Sequence, residues 1–190
     1  MATVLVPLAE GFEEIEAATI VDVLRRGGVE VTTASLGDRT VKGAHALPFV
    51  ADATLDAVLA EKPRFDAVVL PGGMPGAANL RDDPRVLRAL AQVVERGGTA
   101  AAICAAPIAL EAAGLLAGRK ATAYPGFRER LTSAALRSDA PVVVDGPVVT
   151  SAGPGTALEF ALALVERLVS HEKAEELRGG MLVAPNIRVR

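Results

Sequence analysis

Aromatic residues are scarce in this chain: five Phe, one Tyr and no Trp, 3% of 190 residues. The core must therefore be built from Ala, Val, Leu and Ile, and few rings are available to stack on bases or sugars. Cysteine occurs once, at Cys104, which excludes an internal disulfide and a four-thiolate zinc site. Basic runs are missing, and the formal net charge is −3. Sequence-specific binding to nucleic acid is therefore not expected. No apolar run is long enough to span a membrane. The N-terminal stretch from Ala2 to Ala9 contains Pro7, is followed by Glu10 and lacks a basic leader. A soluble, cytoplasmic protein is the resulting expectation. What the chain does have is apolar material, 51% against 23% charged, enough for one large core in a single domain over residues 1–190.

That material is arranged as alternating strand and helix signals. Thr3 to Leu8, Val29 to Ser35, Asp66 to Leu70 and Thr99 to Ile103 read as buried strands. Lys120 to Tyr124 reads as a further strand. Asp145-Gly146 sits between Val142–Val144 and Val148–Ser151 as a hairpin signal. Helical periodicity covers Phe12 to Arg26, which Gly27-Gly28 terminates. Further helices are expected over Leu55 to Glu61, Pro84 to Glu95, Phe127 to Leu136, about 156–170, and Glu172 to Leu177. Short strands or a hairpin are expected in Val41 to Val50. Such alternation predicts an α/β fold with a mostly parallel sheet covered on both faces. Ligands in such folds sit at the carboxyl ends of the strands.

The stretch GTAAAICAAPIAL, Gly98 to Leu110, carries the chemistry. Cys104 stands where a strand hands over to the helix signal IALEAAGLL, with Pro107 near the first helical turn. A strand-to-helix elbow lifts a nucleophile out of the sheet and turns N–H groups toward it. The same position also suits an inert, small, buried hydrophobe. A free thiol near pKa 8.5 must drop by about two units, roughly 3 kcal/mol, to be mostly ionised at neutral pH. A helix N-terminus supplies about 0.3–1 kcal/mol. A hydrogen-bond donor to sulfur is therefore needed, and a protonated carboxyl held in an apolar site can serve.

Glu13, Glu14 and Glu16 follow the first strand, and periodicity alone does not choose among them. Each also suits a helix N-terminus, which favours acids. Pro71-Gly72-Gly73 ends another strand as an ordinary turn or as a close-approach backbone. With the Ala105 N–H, such a backbone could form an oxyanion hole. Neither His45 nor His171 is tied by position to the thiol, and no metal-ligand pattern or cofactor motif is present.

EGFEEIEA, IVDVLRRGG, DAVVLPGG, AAICAAP, YPGF and TSAGPGTALEFAL occur in order along nearly the whole chain. In these stretches the sequence resembles the ThiJ/PfpI superfamily, specifically its parkinsonism-associated deglycase (DJ-one) and YajL/ThiJ branch. The resemblance implies a flavodoxin-like three-layer sandwich, related to class I glutamine amidotransferases, with a nucleophile elbow and a homodimeric assembly. It implies Cys104 as the reactive cysteine, Glu16 as the acid touching sulfur, and Gly73 and Ala105 as the oxyanion amides. Gly72, Tyr124 and His45 are implied as supporting residues. It departs from relatives that place His directly after the cysteine, where this chain has Ala105, and Gly one further on, where it has Ala106. Vertebrate members have His at the place of Tyr124 and Arg at that of His45.

The implied activity is glutathione-independent conversion of methylglyoxal or glyoxal, or removal of their early glycation adducts from amines and thiols. No cofactor is implied. The alternative is a redox-sensing stress protein or chaperone with a cysteine-sulfinate switch, and a cysteine peptidase ranks third. For assembly, the helix Glu13 to Arg26 is apolar over much of its surface, through Ile15, Ile20, Val21, Val23 and Leu24. A homodimer through this region is expected.

Overall fold

A computed structural model describes residues 1–61 and 64–183. Among these residues eleven strands are assigned: β1 (Thr3–Leu8), β2 (Glu30–Ser35), β3 (Thr40–Lys42), β4 (Pro48–Val50), β5 (Ala53–Thr54), β6 (Ala67–Leu70), β7 (Thr99–Ile103), β8 (Lys120–Ala121), β9 (Leu136–Arg137), β10 (Val142–Asp145) and β11 (Val148–Ser151). Seven α-helices accompany them: α1 (Glu14–Arg26), α2 (Leu55–Glu61), α3 (Gly76–Asp82), α4 (Pro84–Glu95), α5 (Pro107–Ala112), α6 (Ala157–Leu168) and α7 (His171–Gly180). Seven strands form one sheet in the order β10-β11-β7-β6-β1-β2-β5. Every pairing in it is parallel except the β10–β11 hairpin.

The strands read as near-continuous apolar runs because both faces of the sheet are buried. Alternate side chains serve opposite layers. Val4, Val6 and Leu8 of β1, with Ala101 and Ile103 of β7, join a core containing Ile20, Val23 and Leu24 of α1 and Phe160, Leu164 and Val165 of α6. Leu5, Val68, Leu70, Ala100 and Ala102 face the other layer, with Leu80, Val86, Leu90 and Leu110 from α3, α4 and α5. Helix starts follow local chemistry. Asp83 caps α4 by accepting from the Arg85 N–H at 2.8 Å, and Pro84 occupies the first helical position, where its missing N–H costs nothing.

This is the flavodoxin-like α/β sandwich expected from the sequence. The central strands, the hairpin at Asp145-Gly146, α2 and α4 lie where the residue pattern put them. Residues 40–50 form the β3–β4 ribbon. Several local expectations are corrected. Residues 127–136 are not an α-helix: a 3-10 segment, Pro125–Arg130, is followed by a turn and by β9. Thr132 and Ser133 spend their hydroxyls on the Glu111 carboxylate, which favours a turn over a helix. The strand expected over 120–124 shrinks to β8, which pairs with β9 outside the main sheet. Helix α5 stops at Ala112, two residues before Gly114, which lies at φ +73°. The helix expected after Gly153 begins as a 3-10 turn over Pro154–Thr156. Short strand β5 and helix α3 were not anticipated.

Chain order reverses in the sheet around β1, with β2 on one side and β6 on the other. That switch point opens a crevice at the carboxyl ends of the strands. Segments leaving β1, β6 and β7 carry Glu13–Glu16, Gly72–Gly73 and Cys104, and all three converge there.

Candidate active site

Cys104 sits one residue past β7 with φ +64°, a left-handed conformation that side-chain-bearing residues rarely adopt. Holding it costs on the order of 1–3 kcal/mol, so the surroundings must impose it. They do so from both sides of the residue. Its N–H donates to the Ser151 carbonyl at 2.9 Å, and its carbonyl accepts from the Tyr124 N–H at 2.8 Å. Ala106, at φ −65°, starts the helical turn without strain. The result is the expected elbow, with the thiol half-buried.

Glu16, on the first turn of α1, is fully buried. Its Oε2 accepts from the Gly72 N–H at 2.7 Å. Its Oε1 is buried without a hydrogen-bond partner among the described residues. The carboxyl lies beside the Cys104 side chain, both within 3 Å of the point where a Cβ on Gly72 would sit. Gly72 is required by close approach: a Cβ there would lie 2.7 Å from Cys104 Cβ and 2.9 Å from Glu16 Oε2. Gly73 is required by conformation, at φ +85°. The N–H groups of Gly73 and Ala105 are directed at the Cys104 sulfur. Neither is spent on another backbone hydrogen bond among the described residues.

The electrostatics differ from the expected depressed thiol. Burial pushes Glu16 up to about 7, against the opposing Gly72 N–H and Cys104 contacts. Burial also pushes the Cys104 thiol up, to about 12, reinforced by the charge of Glu16 and the contact with it. The two amides pull the other way without prevailing. The reason is physical: two anions cannot share one buried site. The pair is therefore the titrating unit. At neutral pH Glu16 is about half protonated, and in that form it no longer repels a thiolate and can donate to it. A thiolate at Cys104 therefore requires Glu16 to hold its proton.

Around the sulfur lies a pocket of about 460 Å³ lined by Glu13, Ile15, His45, Gly73, Met74, Cys104, Ala105, Tyr124, Phe127 and Pro154. Its walls are mostly apolar. Cys104, Glu16, Gly72, Gly73, Ala105, Tyr124 and His45 all lie at or beside it. Tyr124 is half-exposed and its ring lies against Gly153. His45 is held at the rim, its Nδ1 3.0 Å from Glu14 Oε2 and 3.6 Å from Glu13 Oε2. The hydrogen bond its ring donates to Glu14 and both carboxylate charges raise its pKa. His171 is elsewhere, on α7, paired with Glu166 at 3.1 Å.

Sequence reasoning missed what Glu14 does. Its Oε1 accepts from the N–H groups of His45 and Leu47, at 2.7 and 3.3 Å, fixing the loop that forms the rim. Burial opposes its charge, but these bonds, its own N–H and the His45 ring outweigh that and hold its pKa down. A contact spanning 31 residues leaves no local pattern to read. Met74, Ile15, Phe127 and Pro154 were likewise invisible as pocket residues, since only the fold brings them together.

A buried acid, a cysteine on a strained elbow and two open amides at a sheet switch point define a thiol-bearing α/β protein of the nucleophile-elbow type. The chain belongs to the DJ-1/PfpI family, whose description matches residues 2–167. Protein dj-1beta of Drosophila melanogaster is 42% identical over 184 residues, covering 96% of this chain and 97% of that one. A Caenorhabditis elegans protein named glutathione-independent glyoxalase DJR-1.2 is 39% identical over 177 residues, covering 93% and 92%. The chain spans only 42% and 47% of the length of Arabidopsis thaliana DJ-1 homologs B and A, each 42% identical to it. Among solved structures, oxidized Toxoplasma gondii DJ-1 superposes with a TM-score of 0.91 at 40% identity, over 96% of this chain and 98% of that one.

Proposed function

We propose that the chain is a cysteine-dependent, glutathione-independent glyoxalase or deglycase, acting on methylglyoxal, glyoxal or their early adducts with amines and thiols. The observation that carries this reading is Glu16: a fully buried carboxyl with a pKa near 7, in contact with the elbow cysteine. Such a group can both give and take a proton at neutral pH. The name of the C. elegans relative supports the same reading.

In methylglyoxal conversion the Cys104 sulfur adds to the aldehyde carbon, and the carbonyl oxygen takes the proton held by Glu16, giving a hemithioacetal. The Glu16 carboxylate then removes the hydrogen on that carbon, and the Gly73 and Ala105 amides stabilise the enolate-like oxygen. Returning that proton to the neighbouring carbon, while the hemithioacetal hydroxyl proton passes to the neighbouring oxygen, gives a lactyl thioester. Water cleaves the thioester, releasing lactate and restoring the thiol. One water is consumed overall, and no external oxidant or reductant is needed. The test is proton NMR of methylglyoxal incubated with wild type and with Cys104→Ser. Lactate in the first and none in the second is the expected outcome, and equal lactate in both would refute it.

A second reading is a redox sensor. It is favoured by one observation: the thiol is half-exposed, has no cysteine partner and lies beside an acid able to hydrogen-bond a sulfinate. Both readings use the same two residues. As a further part of the proposal, the protein works as a homodimer. Ile20, Val23 and Leu24 of α1 are buried within the chain against α6, so the surface left for a second copy is narrower than the sequence suggested. It centres on Ile15, 59% exposed, and the half-buried Val21.

A further inference from the structure

The bond that holds the Cys104 N–H leads away from the pocket, into a cluster of hydroxyl and carbonyl groups. Its acceptor is the carbonyl of Ser151, the last residue of β11. Ser151 is fully buried, where a hydroxyl costs free energy unless it is hydrogen-bonded. Its Oγ lies 2.8 Å from the Pro141 carbonyl and 2.6 Å from Thr156 Oγ1. Thr156 Oγ1 accepts from the Gly153 N–H at 3.1 Å and lies 2.9 Å from the Gly153 carbonyl. We propose that Ser151 and Thr156, neither of which lines the pocket, are positioning residues that keep the Cys104 sulfur in front of the Gly73 and Ala105 amides.

Each hydroxyl has one proton to give. Either Ser151 donates to Pro141 and Thr156 to Ser151, or Ser151 donates to Thr156 and Thr156 to the Gly153 carbonyl. In both arrangements the two oxygens are bonded to each other, so losing either hydroxyl breaks the same link. That link reaches both anchors of the strained elbow. Ser151 holds the Cys104 N–H directly. Gly153 lies against the Tyr124 ring, a Cβ there falling 3.4 Å from Tyr124 Cδ2, and the Tyr124 N–H holds the Cys104 carbonyl. Pro154, inside the tied 153–156 turn, is a wall of the pocket.

A threonine directly before a helix ordinarily accepts from the first N–H groups of that helix. Thr156 stands directly before α6 and makes no such bond. Its hydroxyl is turned back to Ser151 and Gly153, so capping does not account for it. Glu16 belongs to α1 and Gly73 follows β6, and neither bonds to this link. Without the link the elbow relaxes while the acid and the Gly73 amide stay where they are. The Gly73 and Ala105 N–H groups favour a thiolate only while the sulfur faces them. A relaxed Cys104 loses those donors and keeps the neighbouring acid, so its thiol reacts more slowly.

The test is the rate at which iodoacetamide, an uncharged reagent, alkylates the full chain at neutral pH, followed by intact mass; Cys104 is its one cysteine. Thr156→Val keeps the side-chain volume and removes one hydroxyl, and Ser151→Ala removes the other. Each should slow alkylation roughly tenfold or more, the scale of a lost hydrogen bond to a charged group. The double variant should be no slower than the slower single one, since both break one link. Thr156→Ser keeps the oxygen and should restore the wild-type rate. Urea unfolding of every variant separates this from a merely structural role, which lowers stability and leaves the alkylation rate of the folded chain unchanged. An unchanged rate in whichever single variants fold, or a Thr156→Ser rate as slow as that of Thr156→Val, would overturn the proposal. Alkylation does not depend on methylglyoxal turnover, so this inference and the proposed activity succeed or fail separately.

Discussion

Replacing Glu16 by Gln should change how stability depends on pH, by an amount the site itself sets. Burial raises the folded pKa of Glu16 from an ordinary 4.5 to about 7. The folded chain therefore holds this proton more tightly than the unfolded chain. The resulting stabilisation is complete below about 4.5 and is lost as pH rises through about 7. A shift of that size corresponds to about 3 kcal/mol at 1.36 kcal/mol per unit. Gln cannot titrate, but its oxygen can accept from the Gly72 N–H and its NH2 can donate to sulfur. The stability of wild type minus that of Glu16→Gln should therefore fall by about 3 kcal/mol between pH 4.5 and 8.5. For a domain of this size that is roughly 6–12 °C in relative Tm. Urea unfolding of both proteins at half-unit pH steps measures it, and titrations common to both cancel in the difference. A difference that stays level across the window would show that Glu16 is not a buried, proton-holding acid, and the proton-sharing pair would have to be abandoned.

In the same variant, lactate formation from methylglyoxal should drop at least a hundredfold while the fold persists, because an amide cannot shuttle a proton; turnover like that of wild type would remove Glu16 from the mechanism. Gly72→Ala places a Cβ 2.7 Å from Cys104 Cβ, and should cost about 1–3 kcal/mol in denaturant unfolding and most of the turnover. His171→Ala should leave turnover unchanged, since that ring pairs with Glu166 away from the pocket. Mild peroxide should add two oxygens to the intact mass of wild type and none to Cys104→Ser, there being no second cysteine to form an internal disulfide; a wild-type mass that does not move, with the thiol still titratable, would argue against the sensor reading.

The central sheet was legible because its strands are short apolar runs bounded by Gly and Pro, and such runs have few alternatives to burial. The elbow was legible for a related reason: a lone cysteine between TAAAI and a proline-started helix has only one place in a parallel sheet. Glu16 was legible only through resemblance, since Glu13, Glu14 and Glu16 share one short acidic segment and differ only in which way the helix turns each of them. In the structure they separate sharply. Glu16 meets the sulfur, Glu14 braces the 43–47 loop, and Glu13 faces His45. The stretch from Phe127 to Leu136 was misread because its pattern fits a helix, while the tertiary contact of Thr132 and Ser133 with Glu111 holds a turn instead.

The direction of the thiol's shift was also misjudged from sequence, and the cause bears on mechanism. A helix N-terminus was expected to help lower it, but α5 is only six residues long, and burial beside an acid dominates. A permanently ionised cysteine is therefore not what this site supplies. It supplies two groups that share one proton, with amides on each side: Gly72 for the carboxylate, and Gly73 and Ala105 for the sulfur. Peptide cleavage would need a base to activate the nucleophile and an acid to protonate a departing amine, usually one histidine serving both. Neither histidine is placed for it: His171 is remote, and the ring nitrogen of His45 for which contacts are seen is turned to Glu13 and Glu14. Addition to an aldehyde asks for less. The carbonyl is already electrophilic, no amine leaves, and in the proposed reaction the proton that Glu16 holds would be delivered to the oxygen as the sulfur bonds to carbon. The same carboxylate, then charged, would be the base that the next step of the proposed reaction requires.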